Sequence, residues 1–452
     1  MSNPTQTPAP APLEPPTSWR EAIPYLGPGF VLSAAIVGSG ELIATTALGA
    51  EAGFTALWVI LLSCVIKVAL QLQFGRHAIL TGETVMESFN KIPGPAAAGV
   101  SWPIWLWLAA QPLKVLQVGG IIGSLALLMN MVLPSLPVWI WCWGFAILVA
   151  VLVATNRYTT IERVALSLLG GFTALTLASV VSLQWTEYAI SAADILSGLT
   201  FQLPAHTLLV VFGAFGLTGV GGDEVMQYPY WMLEKGYAAH AGARAADDPD
   251  WRRRARGWIR VMYADALLSM AAYTLVTAAF YLLGAAVLHA QGLTPEGTGV
   301  IRTLAEMYTN SLGAWAEGVF LFGAFTVLFS TLFSALAVWT RIFADAFSQL
   351  GWCDFRDTRS RRRAIVVLSW VFPLAWATVF LIYDAPVMMI VLGGVATSAL
   401  LLLVVFAAIV FRRSENVAAI RPGRLYDTAF AISCTSIALF ALFGLSRALG
   451  IL

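Results

Sequence analysis

Gly38-Ser39-Gly40-Glu41 and Gly221-Gly222-Asp223-Glu224 each interrupt a strongly apolar run, and each ends in a glutamate. Glycine releases the backbone from helical geometry, and a carboxylate at bilayer depth is costly unless it has a partner or a task. Each stretch therefore marks a candidate site. One lies near the start of the chain and the other near its middle. A transporter made of two structural repeats, with the first helix of each unwound at the midplane, has this pattern. The expected role is to move a solute across a membrane.

The composition leaves little room for other classes. With 452 residues, 59% hydrophobic and 11% charged, the chain cannot be a soluble domain with a polar surface. Apolar runs fall at 27–50, 54–76, 102–131, 137–156, 160–184, 206–233, 259–288, 311–347, 363–382, 384–411 and 424–450. At about 20 residues per crossing these are eleven spans, which puts the termini on opposite sides. All Lys and Arg except Lys67, Lys114, Arg302 and Arg447 sit in the N-terminal segment or at the loops and helix ends after even-numbered spans. The positive-inside rule then predicts a cytoplasmic N-terminus and an external C-terminus, in a cell (inner) membrane. Residues 1–20, rich in proline and without the basic start or apolar stretch of a signal peptide, read as a disordered cytoplasmic tail. The arginine triplets at 252–254 and 361–363 read as anchors on anionic lipid, so the bilayer is an expected partner and nucleic acid is not. Cys64, Cys142, Cys353 and Cys434 lie far apart with no CxxC spacing, and read as core filler.

Gly27-Pro28-Gly29-Phe30 through Gly49-Ala50, then Leu57-Trp58, the Leu61-Leu62-Ser63 to Leu70-Gln71 run and Thr81-Gly82, resemble the opening of the Nramp family of proton-coupled divalent-metal transporters. The resemblance implies an all-α membrane protein of about eleven transmembrane helices in a 5+5 inverted-repeat fold, with the first and sixth helices broken. The repeats would cover 21–200 and 201–411, with 412–452 an additional span. Substrate would be held between the two breaks and released by alternating access.

The departures from the family's pattern shape the expected substrate. In register with the family's Asp-Pro-Gly-Asn this chain has Gly38-Ser39-Gly40-Glu41, and the Met-Pro-His of the sixth helix falls on Gly221-Gly222-Asp223. An aspartate and a soft thioether ligand are thus replaced by glycines. Where the family's third helix carries acids implicated in proton transfer, the nearest alignment gives Lys114 and Gln117.

Two readings follow. In one, the glycines open volume for a small polar organic solute such as a sugar, held by Gly38, Ser39, Glu41, Gly221, Asp223, Glu224, Lys114 and Gln117. Trp102, Trp105, Trp107 and Trp231 would serve as aromatic walls. In the other, a hard divalent cation, Mg²⁺ or Mn²⁺, is bound by Glu41, Asp223 and Glu224 with retained water. Lys114 favours the organic solute, because an ammonium beside the site repels a divalent cation. The bland readings are a snorkelling Lys114, a snorkelling or structurally paired Lys67, an interfacial belt of tryptophans, and Glu41 and Glu224 as helix caps. An enzyme is not expected: Ser39 sits in a Gly-Ser-Gly stretch, but His77, His206, His240 and His289 are scattered away from the intramembrane acids. No resident cofactor is expected, a coupling ion would be H⁺ or Na⁺, and the protein is expected to be a monomer.

Overall fold

Each apolar run folds as helix, in a computed structural model that describes residues 12–38, 40–155, 158–414 and 420–448. The first span is composite. α1 (Pro28–Ile36) opens with proline in its first turn, where the missing N–H costs nothing, and stops at the glycines. The chain then rewinds through a π-helical turn, Gly40–Thr45, into α2 (Thr46–Ala52). α3 (Leu57–Thr81) ends at Gly82, whose φ of 71° is the left-handed conformation that closes a helix. α4 (Trp102–Val132), α5 (Val138–Ala154) and α6 (Tyr158–Ser182) complete the first half.

The sixth span is also broken, into α7 (Leu208–Leu217) and α8 (Gly222–Lys235). α9 (Pro249–Leu283) continues through a second π turn, Gly284–Leu288, and α10 (Val300–Leu312) lies between spans. α11 (Ala316–Gln349), α12 (Thr358–Tyr383), α13 (Pro386–Ser414) and α14 (Arg424–Ala448) follow. Among the described residues, eight helical stretches are long and apolar enough to cross a bilayer unaided, with α7 and α8 counted together; α5 is a shorter apolar helix. The only sheet among them is a two-residue pairing of Ala96–Ala97 with Val100–Ser101. The protein is an all-α, multi-pass membrane protein with the two broken helices where the glycines stand.

Small residues set the closest approaches, as they do between membrane helices. A Cβ on Gly216 of α7 would lie 1.9 Å from the Gly394 carbonyl of α13, and one on Gly394 would lie 2.3 Å from the Gly213 carbonyl. α2 meets α9 in the same way, through Gly49 against Tyr281 and Gly284 against Thr46. The start of α1 is held by Asp265 of α9, which accepts from the amides of Gly27 at 2.8 Å and Gly29 at 2.6 Å. The Tyr228 hydroxyl of α8 donates to the same carboxylate at 3.1 Å.

The disordered tail expected over 1–20 is corrected for its second half. The Leu13 amide donates to the His240 carbonyl at 2.9 Å, its carbonyl accepts from the Trp258 indole at 3.0 Å, and Glu14 pairs with Arg253 at 2.8 Å. Ser18 then caps a short helix, Trp19–Ala22. Residues 1–11 lie outside the described residues.

Candidate functional site

The break between α7 and α8 builds the site. Gly219 takes a φ of 63°, which few residues other than glycine adopt, and Gly221 caps α8 in extended conformation. A Cβ on Gly221 would come within 2.4 Å of Glu224 Oε2 and 2.8 Å of the Gly216 carbonyl, so glycine is required there. Asp223 and Glu224 then fall in the first turn of α8, where free amides and the positive end of the helix dipole favour carboxylates.

Lys114 reaches this turn from α4. Its Nζ lies 2.7 Å from Asp223 Oδ2, both side chains are largely buried, and the contact is an ion pair rather than an aligned hydrogen bond. The same ammonium donates to Gln117 Oε1 at 2.5 Å and to the Thr397 hydroxyl of α13. Three helices from both halves of the chain are thus joined through one cation.

These groups face a cavity of about 60 Å³ lined by Gly40, Lys114, Gln117, Asp223, Glu224, Gln227 and Thr331, with Ile36, Leu217 and Trp339 among its apolar wall. Of the expected site residues, Lys114, Gln117, Asp223 and Glu224 come together here. Gly38 and Gly221 shape the two breaks, and Ser39 lies outside the described residues. Glu41 does not line the cavity. It has no exposed surface, and its Oε2 accepts from the Gly38 amide at 3.4 Å. Its Oε1 has no hydrogen-bond partner among the described residues.

Neither lysine snorkels: Lys114 is 4% exposed and Lys67 is 0% exposed. The tryptophans proposed as walls are elsewhere. Trp102 and Trp105 donate to the loop carbonyls of Pro93 and Ala97, Trp107 packs on Phe343, and Trp231 lies beneath Arg341. Trp339, Thr331 and Gln227 were not singled out in the sequence. Gln227 follows Glu224 by three residues and could have been read on the same helix face. None of the four histidines lines the cavity; His77 stacks on Phe411, for example. Among the described residues no three His, Cys, Asp or Glu side chains converge as a metal cage.

Comparison with known proteins places this geometry. Residues 29–447 match the family described as Natural resistance-associated macrophage protein-like. The chain is 33% identical over 121 residues to the metal transporter Nramp6.2 of Populus trichocarpa, covering 27% of this chain and 21% of that one. It is 26% identical over 313 residues to the divalent metal cation transporter MntH of Granulibacter bethesdensis, covering 68% of this chain and 65% of that one. The alignments thus span less than two thirds of those two relatives, whereas that with MntH of Brucella suis, at 23% identity, covers 88% of this chain and 82% of the relative.

Among solved structures, a mutant of the Eremococcus coleocola manganese transporter superposes with a TM-score of 0.70 at 14% identity, over 96% of this chain and 89% of that one. A nucleobase-cation-symport-1 family transporter superposes with a TM-score of 0.55 at 13% identity, over 99% and 94%. Both likenesses establish the fold: two inverted repeats with broken first and sixth helices.

The expectation of a sugar-like organic solute is overturned. The three relatives named above are metal transporters by name, and the cavity is far below the ~300 Å³ at which small-molecule pockets begin. The argument from Lys114 fails because its charge is already offset by Asp223. From residue 29 to residue 447, this chain belongs to the Natural resistance-associated macrophage protein-like family.

Proposed function

We propose that the chain transports a hard divalent cation, Mg²⁺ or Mn²⁺, by alternating access around the two breaks. The observation that carries this reading is the cavity: it is small, and its metal-capable groups are all oxygens. Asp223, Glu224, Gln117, Gln227 and Thr331 line it, with no His, Cys or Met among them. Oxygen donors select Mg²⁺, Ca²⁺ and Mn²⁺ over softer metals. Because carboxylates are few, the ion keeps part of its water, as magnesium does readily. At roughly 10–15 Å³ per water-sized centre, 60 Å³ admits an ion and a few waters.

In this reading Lys114 is the countercharge of Asp223 until a cation replaces it. An arriving cation takes over Asp223, and Lys114 retains Gln117 and Thr397 as partners. The chain acts as a transporter, as the named relatives among its matches do. The asymmetry of Lys and Arg supports a cytoplasmic N-terminus and an external C-terminus.

Reconstitution in liposomes carrying an internal Mg²⁺ or Mn²⁺ indicator tests the reading. Saturable uptake in the wild type, lost in Asp223→Asn and Glu224→Gln, is the expected result; absence of divalent uptake, or uptake indifferent to both substitutions, overturns it. For orientation, a cysteine at Glu296 should react with an impermeant reagent outside intact cells and one at Ala246 should not.

A further inference from the structure

The sixth-helix break holds a second buried cation that the proposed substrate site does not use. α7 stops at Leu217, leaving the carbonyls of its last turn without helical partners. The Lys67 ammonium of α3 lies on them. Its Nζ donates to the Phe215 carbonyl at 2.7 Å and to the Thr218 carbonyl at 2.5 Å, and stands 5.0 Å from the centre of the Phe215 ring. One turn earlier on α3, the Ser63 hydroxyl lies 3.1 and 3.2 Å from the same two carbonyls and accepts from Thr218 Oγ1 at 2.9 Å.

Lys67 has no exposed surface, and its hydrogen-bond partners are carbonyls, not carboxylates. Its charge rests on the negative end of the α7 dipole. A desolvated cation held by carbonyl oxygens at the C-terminal end of a half-helix is how broken-helix transporters bind a monovalent metal ion. Here the cation is tethered to the chain.

We propose that Lys67 is a resident cation: its ammonium fills the monovalent-cation position created by the broken sixth helix, so the break is charge-balanced and transport draws on no Na⁺ gradient. The inference concerns the break itself, and its stability test needs no substrate, so failure of the divalent-cation reading would leave it standing.

Chemical rescue of Lys67→Ala tests it. Thermal unfolding of the purified protein and uptake by proteoliposomes are compared in N-methylglucamine, Na⁺, ethylammonium and, as a neutral hydrogen-bonding control, acetamide. The wild type should behave alike in Na⁺ and N-methylglucamine. Lys67→Ala should melt lower and transport about tenfold more slowly or worse in N-methylglucamine, with both defects partly reversed by Na⁺ or ethylammonium but not by acetamide. Three results overturn the proposal: a wild type that needs Na⁺, a variant indifferent to added cations, or equal rescue by acetamide. Should Lys67→Ala not fold, the length-matched pair Lys67→Arg and Lys67→Met decides. Arginine should keep the melting temperature and Na⁺ independence of the wild type and methionine should not, whereas equal behaviour of the two overturns the proposal.

Discussion

The first and sixth helices are broken by the same pattern of glycine and acid, yet they spend their glutamates differently. In the sixth, the chain leaves α7, crosses a gap and restarts at Gly221, so Asp223 and Glu224 occupy the first turn of a new helix and face the cavity. In the first, the chain never fully opens on the far side of its glycines. It rewinds as a π turn from Gly40, which carries Glu41 into the protein and leaves only the apolar Ile36 and Gly40 of this helix at the cavity wall. A glycine-acid pattern therefore marks where a helix opens, whereas the way it rewinds decides what its acid can touch. π turns concentrate at functional positions in helices, and this one works by turning a side chain away.

The contrast can be broken most forcefully at the ion pair of the sixth-helix side. Asp223→Leu leaves the Lys114 ammonium buried without its countercharge, and should cost about 3–5 kcal/mol in denaturant unfolding. Adding Lys114→Met should recover most of that stability while uptake stays lost, because the apolar pair cannot receive a cation. A single-variant cost below about 1 kcal/mol would show that the pair is not desolvated.

The glutamates give a direct comparison of the two breaks. Glu224→Gln should weaken divalent-cation binding by about tenfold or more, measured by calorimetry, while Glu41→Gln should change it by less than about threefold. Equal losses would make the two breaks functionally equivalent and return Glu41 to the site.

The glycines sharpen the same point at smaller scale. Gly221→Ala forces a Cβ against Glu224 and the Gly216 carbonyl, and should cost about 1–3 kcal/mol of stability along with transport. Gly40→Ala meets only Leu217, its Cβ at 3.4 Å and its carbonyl at 3.9 Å, and should stay within about 0.5 kcal/mol of the wild type with normal uptake.

The sequence made the helices legible because apolar length and glycine position act locally: all eleven runs and both breaks fall where helices and gaps are found. Lys114 and Gln117 were legible as neighbours, since a spacing of three places them on one helix face. What the cation of Lys114 meets was not legible, because Asp223 comes from the other half of the chain and only the fold pairs them. The inward turn of Glu41 was hidden for another reason, since a π turn shifts the register of every side chain that follows. Trp339 and Thr331 sit on the mostly apolar α11, where nothing in the local pattern separates a cavity wall from ordinary core. The sequence could not decide between the two readings of Lys67, snorkelling or a structural pairing, because the carbonyls that hold it exist only once α7 has stopped.

The seam between Gly213, Gly216 and Gly394 sets what can move. Interdigitated side chains can slip by changing rotamer, whereas here the two backbones touch directly, so α7 and α13 should move together, as a single lever, if either moves. Bending is then left to the short joint between Leu217 and Gly222, where Gly219 already holds its left-handed conformation. Thickening the seam by one methyl group at Gly216 would loosen the lever from its fulcrum and degrade the stroke of the transporter, even with every group in the cavity unchanged.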